Sequence, residues 1–255
     1  MSDQNDLAEL LHENAKARIE LGLPPGAVPG DESLPLRLMD GSIKSYPTRL
    51  SIPLPPAAGE ANVDLCAAIQ GRTSVREYGS AAIPRLWLAQ LLFHGNGVRA
   101  VPMTGGYRNY RRNAPSAGNL GSVDLYPVVL NVAGVPGGVY HYDPVGHRLT
   151  EIAGTEALPQ LESVLLQPEF GTAGVLIALG SSLARTRAKY GIRGYRYACI
   201  DAGHVAQNLC LVATALGLGA CVAGGFDDDA LNDLLLLDGT DEAALCLVSI
   251  GIIHA

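Results

Sequence analysis

The sequence predicts an α+β fold in which a mainly antiparallel central sheet is flanked by helices, and three observations carry that prediction. Asp124 to Val132, Gly138 to Tyr142 and Arg148 to Ile152 are runs rich in β-branched and aromatic residues, separated by Gly- and Pro-containing turns, as successive antiparallel strands are. Ala173 to Leu179 is apolar without a break, which suits a central strand covered on both faces. Asp201 to Leu216 is apolar on most sides at helical spacing, so it reads as a long helix buried in a core or at a subunit interface. Strands and helices mixed in this way give an α+β architecture.

The remaining elements follow in order. Residues 4 to 21 set leucines and alanines at helical spacing among mixed charges and read as an amphipathic helix. Prolines at 24, 25, 29, 35, 47, 53, 55 and 56 then interrupt every regular pattern. Residues 1–60 are therefore expected to be a helix followed by a proline-rich arm, extended against a surface or a partner subunit, with 61–255 as the folded domain. Asn62 to Gly71 reads as a helix, and Pro84 opens another that ends near Gly95. Asp227, Asp228 and Asp229 read as the acidic start of a helix, where the dipole favours negative charge. Gly219 to Gly224 and Ala244 to Gly251 are the last expected strands. No repeat or low-complexity tract is visible.

Composition narrows the function classes. At 255 residues with 48% hydrophobic content, the chain can bury a large core. A net charge of −7 argues against a nucleic-acid footprint, which needs a basic face. No apolar run is long enough to span a bilayer, so no membrane role is expected. Cysteines 66, 199, 210, 221 and 246 are odd in number, form no Cys-x-x-Cys pair and sit in apolar stretches, so buried free thiols are expected. Together with a polar start that is no signal peptide, this points to the cytoplasm.

Two segments concentrate chemistry. Arg72, Thr73, Ser74, Val75 and Arg76 place two guanidinium forks and two hydroxyls just after a helix, a donor set suited to a phosphate monoester in an otherwise acidic molecule. Alone, such a pentapeptide is more often a solvated arginine-rich helix end. Arg111 to Asn119 is the second segment. Pro115, Ala117 and Gly118 keep bulk away from the backbone, as close approach to a flat ligand requires, while Ser116 and Asn119 offer directed polar contacts. Asp201 and His204, at i and i+3 on an apolar helix, read as a buried polar pair, and no metal site is expected. His141 and His147 flank a hairpin and read as solvent-exposed.

The order of these pieces resembles the FMN-dependent nitroreductase superfamily, and within it the SagB-type dehydrogenases that oxidise azolines to azoles in modified peptides. The matching stretches are Arg72 to Tyr78, Arg112 to Asn119, Gly138 to Pro144, Lys189 to Tyr197, Asp201 to Asn208 and Gly224 to Phe226. Residues 1–60 contribute nothing to the match. The resemblance implies the nitroreductase fold in an interlocked homodimer with FMN at the subunit boundary.

It further implies that Arg72, Thr73, Ser74 and Arg76 hold the phosphate and ribityl end, that Pro115, Ser116, Ala117 and Asn119 lie near the isoalloxazine, and that Gly224 and Gly225 bring backbone donors to the ring. The C-terminus departs from the pattern: where many relatives carry basic residues that help hold the phosphate, Gly251 to Ala255 offers only His254. Lys189 and Tyr190 match an adjacent Lys-Tyr pair associated with catalysis. Lys189 is also isolated, the only lysine after Lys44, and Arg185, Arg187, Arg193 and Arg196 nearby are expected to depress its pKa by like charge.

The expected activity is oxidation of a thiazoline or oxazoline in a peptide or carrier-bound peptide. Lys189, assisted or replaced by Tyr190, takes the proton, FMN N5 the hydride, and dioxygen reoxidises the flavin. Partners are a second copy and a cyclodehydratase or synthetase complex. Two other readings stand beside it: an NAD(P)H-dependent nitro, quinone or flavin reductase, and a flavin-binding scaffold subunit without turnover.

Overall fold

The structure, a computed structural model, describes residues 7–8, 10–13, 33–57 and 63–254. The short strand β1 (Ser51–Pro53) comes first, followed by two outlying ribbons, β2 (Val98–Ala100) with β5 (Arg111–Arg112) and β3 (Met103–Thr104) with β4 (Tyr107–Arg108). The chain then builds β6 (Val123–Val129), β7 (Gly138–Asp143), β8 (Arg148–Ala153), β9 (Val175–Ser182), β10 (Leu218–Ala223) and β11 (Glu242–Ile252). With β1 these six make a seven-stranded sheet in the order β1-β8-β7-β6-β9-β11-β10, every neighbouring pair antiparallel. The expected α+β class and mainly antiparallel sheet are what the chain adopts. The predicted first strand overshoots, because the ladder ends at Val129 and Val132 makes only isolated bridges.

Both faces of the sheet are covered. Val123, Leu125 and Val129 of β6 and Val175, Ile177 and Leu179 of β9 join one apolar cluster, whereas Tyr126, Val128, Leu176 and Ala178 join another. This period-two partition between two cores is why 173–179 reads as unbroken apolar sequence. The helices α1 (Leu34–Asp40), α2 (Leu65–Gly71), α3 (Arg85–Asn96), α4 (Leu161–Val164), α5 (Leu183–Tyr190), α6 (Arg193–Ala215) and α7 (Asp228–Leu235) surround it.

Leu88, Leu91 and Leu92 of α3 and Leu209 and Ala213 of α6 fill the first cluster. The two helices meet at Gly95, where a Cβ would lie 2.6 Å from Leu209 Cδ2, so only glycine permits the approach. Capping fixes two starts. Asp64 accepts from the Ala67 N–H at 3.1 Å at the head of α2, and Asp227 accepts from the Ala230 N–H at 2.9 Å at the head of α7, with Asp228 and Asp229 in its first turn as expected.

Four expectations are corrected. The described part of the N-terminal arm is not wholly extended: α1 forms, β1 joins the sheet edge at β8, and Leu54 enters the first core. The arm is tied down by an ion pair of 2.6 Å between Lys44 and Glu242 and by the Arg49 guanidinium on the Ile152 carbonyl. Residues 7–8 and 10–13 are helical, and the rest of the predicted helix at 4–21 lies outside the described residues.

His141 is not solvent-exposed. It alternates with Tyr140 and Tyr142, whose rings face the first core, so it turns to the opposite face and is fully buried between Tyr46 and Tyr126, each ring centroid 5.2 Å away. His147 is half-buried, Nδ1 meeting the Tyr142 hydroxyl at 2.8 Å and Nε2 the Pro55 carbonyl at 2.9 Å, and burial pushes its pKa down.

The long helix begins at Arg193, eight residues before the predicted start. Finally, Cys210 and Cys221 are buried free thiols, but Cys66 and Cys199 are exposed. Among the described residues no helix is long and apolar enough to cross a membrane.

Candidate active site

Lys189 and Tyr190 end α5, at the junction between β9 and the long helix α6. Gly191, at φ +58, breaks the helix after them and lets the chain turn into α6. Both side chains reach the small-residue loop. A Cβ placed on Gly118 would collide with Lys189 Nζ and with the Tyr190 hydroxyl at once, and Gly118 itself sits at φ +59, where a side chain is strained. The structure thus brings together two segments about 70 residues apart in the sequence.

The loop is held from several sides. Asp201 of α6 is buried and its carboxylate accepts from the Ala117 N–H at 3.0 Å and from the Ser122 hydroxyl at 2.7 Å. Ser116 Oγ accepts from the Gly121 N–H at 3.0 Å, and the Asn119 amide donates to Asn109 Oδ1. Arg185 of α5 donates to the Gly121 carbonyl at 2.9 Å, and the Ser182 N–H to the Ser122 carbonyl at 2.8 Å. Ser116 and Asn119 therefore spend their polar groups on the loop's own shape. Asp201 does so too, and His204, its expected partner, is exposed and makes no hydrogen bond to it among the described contacts.

Electrostatics separate the pair. Burial lowers the Lys189 ammonium pKa. The neighbouring arginines are not the cause: Arg187 pairs with Asp241 at 2.6 Å, Arg185 serves the loop carbonyls, and Arg193 donates to the Tyr197 hydroxyl at 2.9 Å. Burial raises the Tyr190 phenol, with Tyr197 and Asp201 adding to the rise. An amine that loses its proton more readily thus stands beside a phenol that keeps it.

The second cluster lies elsewhere. Arg72 ends α2 in an extended conformation, and the chain runs on beside the sheet-edge strand β10, with Ser74 bridged to Ala220 and the Val75 N–H on the Ala220 carbonyl at 3.0 Å. Alternation puts Arg72, Ser74 and Arg76 on one side and Thr73 with the anchoring Val75 on the other. Neither Arg72 nor Arg76 pairs with a carboxylate among the described residues. Gly224 and Gly225 are exposed at the end of that same β10 edge.

No contact joins these two clusters among the described residues. A Cβ on Gly71 would lie 3.6 Å from Thr214 Cγ2, so the arginine segment starts at the C-terminal end of α6, whereas the Gly118 loop hangs from Asp201. The thirteen residue steps from Asp201 to Thr214 span about 20 Å at 1.5 Å per residue.

A two-faced antiparallel sheet flanked by helices, with a lysine–tyrosine pair over a small-residue loop, is the framework of an oxidoreductase with the nitroreductase fold. The chain belongs to the nitroreductase family, whose profile matches residues 69–252. It is 35% identical over 181 residues, 71% of this chain and 86% of the relative, to MJ1384 of Methanocaldococcus jannaschii, named as a nitroreductase. It is 33% identical over 141 residues to the trifolitoxin-processing protein TfxB of Rhizobium leguminosarum bv. trifolii, covering 53% of this chain and 38% of that one. To the microcin B17-processing protein McbC of Escherichia coli it is 29% identical over 147 residues, 55% of this chain and 54% of that one. The alignments thus take in about half or less of these two peptide-processing relatives.

Among solved structures, one named a nitroreductase from Anabaena variabilis superposes with TM-score 0.73 at 25% identity, over 95% of this chain and 45% of the other. A chain of the E. coli microcin synthetase McbBCD complex, with truncated pro-MccB17 bound, shares the fold with TM-score 0.60 at 21% identity, over 98% and 93% of the two chains.

Proteins of this family generally bind flavin. The donor chemistry here fits FMN: two arginines without carboxylate partners among the described residues, with the exposed Ser74 hydroxyl between them, suit a phosphate. Sequence reasoning missed the groups that shape the loop, Ser122 and Asn109, because their contacts are made in space and no local motif marks them.

Proposed function

We propose that this protein is a SagB-type azoline dehydrogenase, oxidising a thiazoline or oxazoline in a peptide to the aromatic azole. The observation that carries the reading is the convergence of Lys189 Nζ and the Tyr190 hydroxyl on Gly118. Similarity to two peptide-processing proteins supports the substrate class.

Aromatisation removes a proton from one ring carbon and a hydride from its neighbour. FMN, when bound, supplies the two-electron acceptor that no side chain can provide. Arg72, Ser74 and Arg76 would hold its phosphate end, Pro115 to Asn119 would face its ring, and Gly224 and Gly225 would offer backbone donors. The chain's own part is the proton. Lys189, eased toward its neutral form by burial, accepts it at Nζ, and Tyr190, which stays protonated, donates a hydrogen bond beside it. The separation of the two clusters along α6 supports a homodimer in which one subunit's arginine segment meets its partner's Gly118 loop.

The test begins with the visible spectrum of protein purified with FMN, where a flavin band is expected. Lys189→Ala and Tyr190→Phe should then give yellow, folded protein that leaves a thiazoline-bearing peptide unoxidised, and parental rates in both would overturn the assignment. Similarity to MJ1384 favours a second reading, an NAD(P)H-dependent nitroreductase. Steady NAD(P)H oxidation with a nitroarene, and no azoline turnover, would select it.

A further inference from the structure

We propose that Asp201 is a positioning residue for the Lys189–Tyr190 pair: its carboxylate holds residues 116–122 at the height where Gly118 backs both reactive atoms. The inference rests on the function proposed above and extends it to a residue that touches neither substrate nor cofactor.

Asp201 is 3% exposed, and both its oxygens are occupied, Oδ1 at 3.0 Å and Oδ2 at 3.2 Å from the Ala117 N–H, with the Ser122 hydroxyl on Oδ2 at 2.7 Å. Those two donors bracket Gly118, so the carboxylate closes the loop as a clasp closes a strap. A buried carboxylate costs free energy unless its hydrogen bonds compensate, and here both oxygens have donors from the loop. Ser122 and Ala117 approach it from the loop, His204 lies on its own helix, and Tyr190 faces it from α5.

Tyr197 is one turn before Asp201 and meets Tyr190 edge to face, ring centroids 4.8 Å apart. One face of α6 therefore touches both the floor under the pair and the pair itself. Displacing the floor leaves Lys189 and Tyr190 without the surface that fixes their heads, and effective proton transfer demands placement to within a fraction of an ångström.

The experiment compares FMN-supplied parent protein with Asp201→Ala, Asp201→Asn and Ser122→Ala. In Asp201→Ala, amide exchange in residues 116–122 is expected to rise about tenfold while that of β9 is unchanged, the scale set by one lost hydrogen bond to a charged group. The rate at which acetic anhydride acetylates Lys189 should rise with it. With a thiazoline-bearing peptide as probe, kcat should fall about tenfold and KM stay within about twofold, since the residue contacts no substrate.

Asp201→Asn retains an acceptor for the Ala117 N–H and should return kcat to within about threefold of the parent, a rescue that marks holding rather than charge. Parental exchange and kcat in Asp201→Ala, or an Asn variant as impaired as Ala, would overturn the proposal. Should Asp201→Ala fail to fold, Ser122→Ala decides, since parental exchange and acetylation there also overturn it. If the parent itself leaves the thiazoline unoxidised, the proposed activity falls, while exchange and Lys189 acetylation still judge the role of Asp201.

Discussion

The rings of Tyr190 and Tyr197 meet edge to face at 74°, and the Tyr197 hydroxyl in turn accepts from Arg193. Tyr190 is thereby fixed at the end of α5 beside Lys189, whose Nζ lies 5.2 Å from the Tyr190 ring centroid. The pair reads as a base and a hydrogen-bond donor because burial moves their pKa values in opposite directions, as neutral forms are favoured in both cases.

That division sets the pH dependence. Only the neutral amine can accept a proton, so kcat for azoline oxidation should rise with pH through a midpoint below the ordinary lysine value of about 10.5. Lys189→Arg, which cannot release its proton, should lose this limb and about 10² to 10⁴ in rate, measured as kcat against pH.

Gly118→Ala should destabilise the protein by about 1–2 kcal/mol in urea titration, because a Cβ at φ +59 is strained and collides with both reactive heads. Its azoline oxidation should be lost at the same time. A variant with parental activity would show that the two side chains do not rest on this loop.

Subunit mixing tests the shared site. Arg72→Ala/Arg76→Ala and Lys189→Ala should each be inactive alone. Refolded together in equal amounts, half of the dimers would be mixed and each would carry one intact site of two, so about a quarter of parental activity should return. Continued inactivity would place both clusters' partners within one subunit.

Tyr78 governs part of the alkaline limit of stability. Its hydroxyl meets Ser249 Oγ at 2.7 Å and the Val75 carbonyl at 2.6 Å, and burial pushes its pKa up to about 12. Below pH 10 the phenol is protonated in folded and unfolded states alike, so its contribution is fully present. Between about pH 10 and 12 the unfolded chain ionises first and the native state loses up to about 2–3 kcal/mol. Tyr78→Phe should cost about 1 kcal/mol at pH 7 and show a shallower decline in that window, followed by urea midpoints.

Much of this architecture is legible in the chain because strands buried on both sides write themselves as unbroken apolar runs, as Val175 to Leu179 does. The first eight residues of α6 are not legible, since Arg193, Gly194, Tyr195, Arg196 and Tyr197 show no apolar stripe, yet α5 and the Tyr190 ring pack there. A Cβ on Gly194 would lie 2.6 Å from the Thr186 backbone, so this glycine permits the close packing of α5 on α6. His141 misleads because a histidine near a turn looks exposed, whereas the strand's alternation turns it inward. At the candidate site, residue types single out the Gly118 loop and the Lys189–Tyr190 pair, which the fold brings together, but the hold of Asp201 on Ala117 crosses 84 positions and no spacing rule reaches that far. β1 is too short, three residues among prolines, to announce itself.

Because α6 carries one attachment point before its middle, at Asp201, and one at its C-terminal end, at Thr214, it works as a measuring rod between the two segments. A single residue inserted between Asp201 and Thr214 would lengthen it by about 1.5 Å and swing everything beyond by about 100°. Along that span the exposed positions are free to vary, but the helix's length and phase are locked.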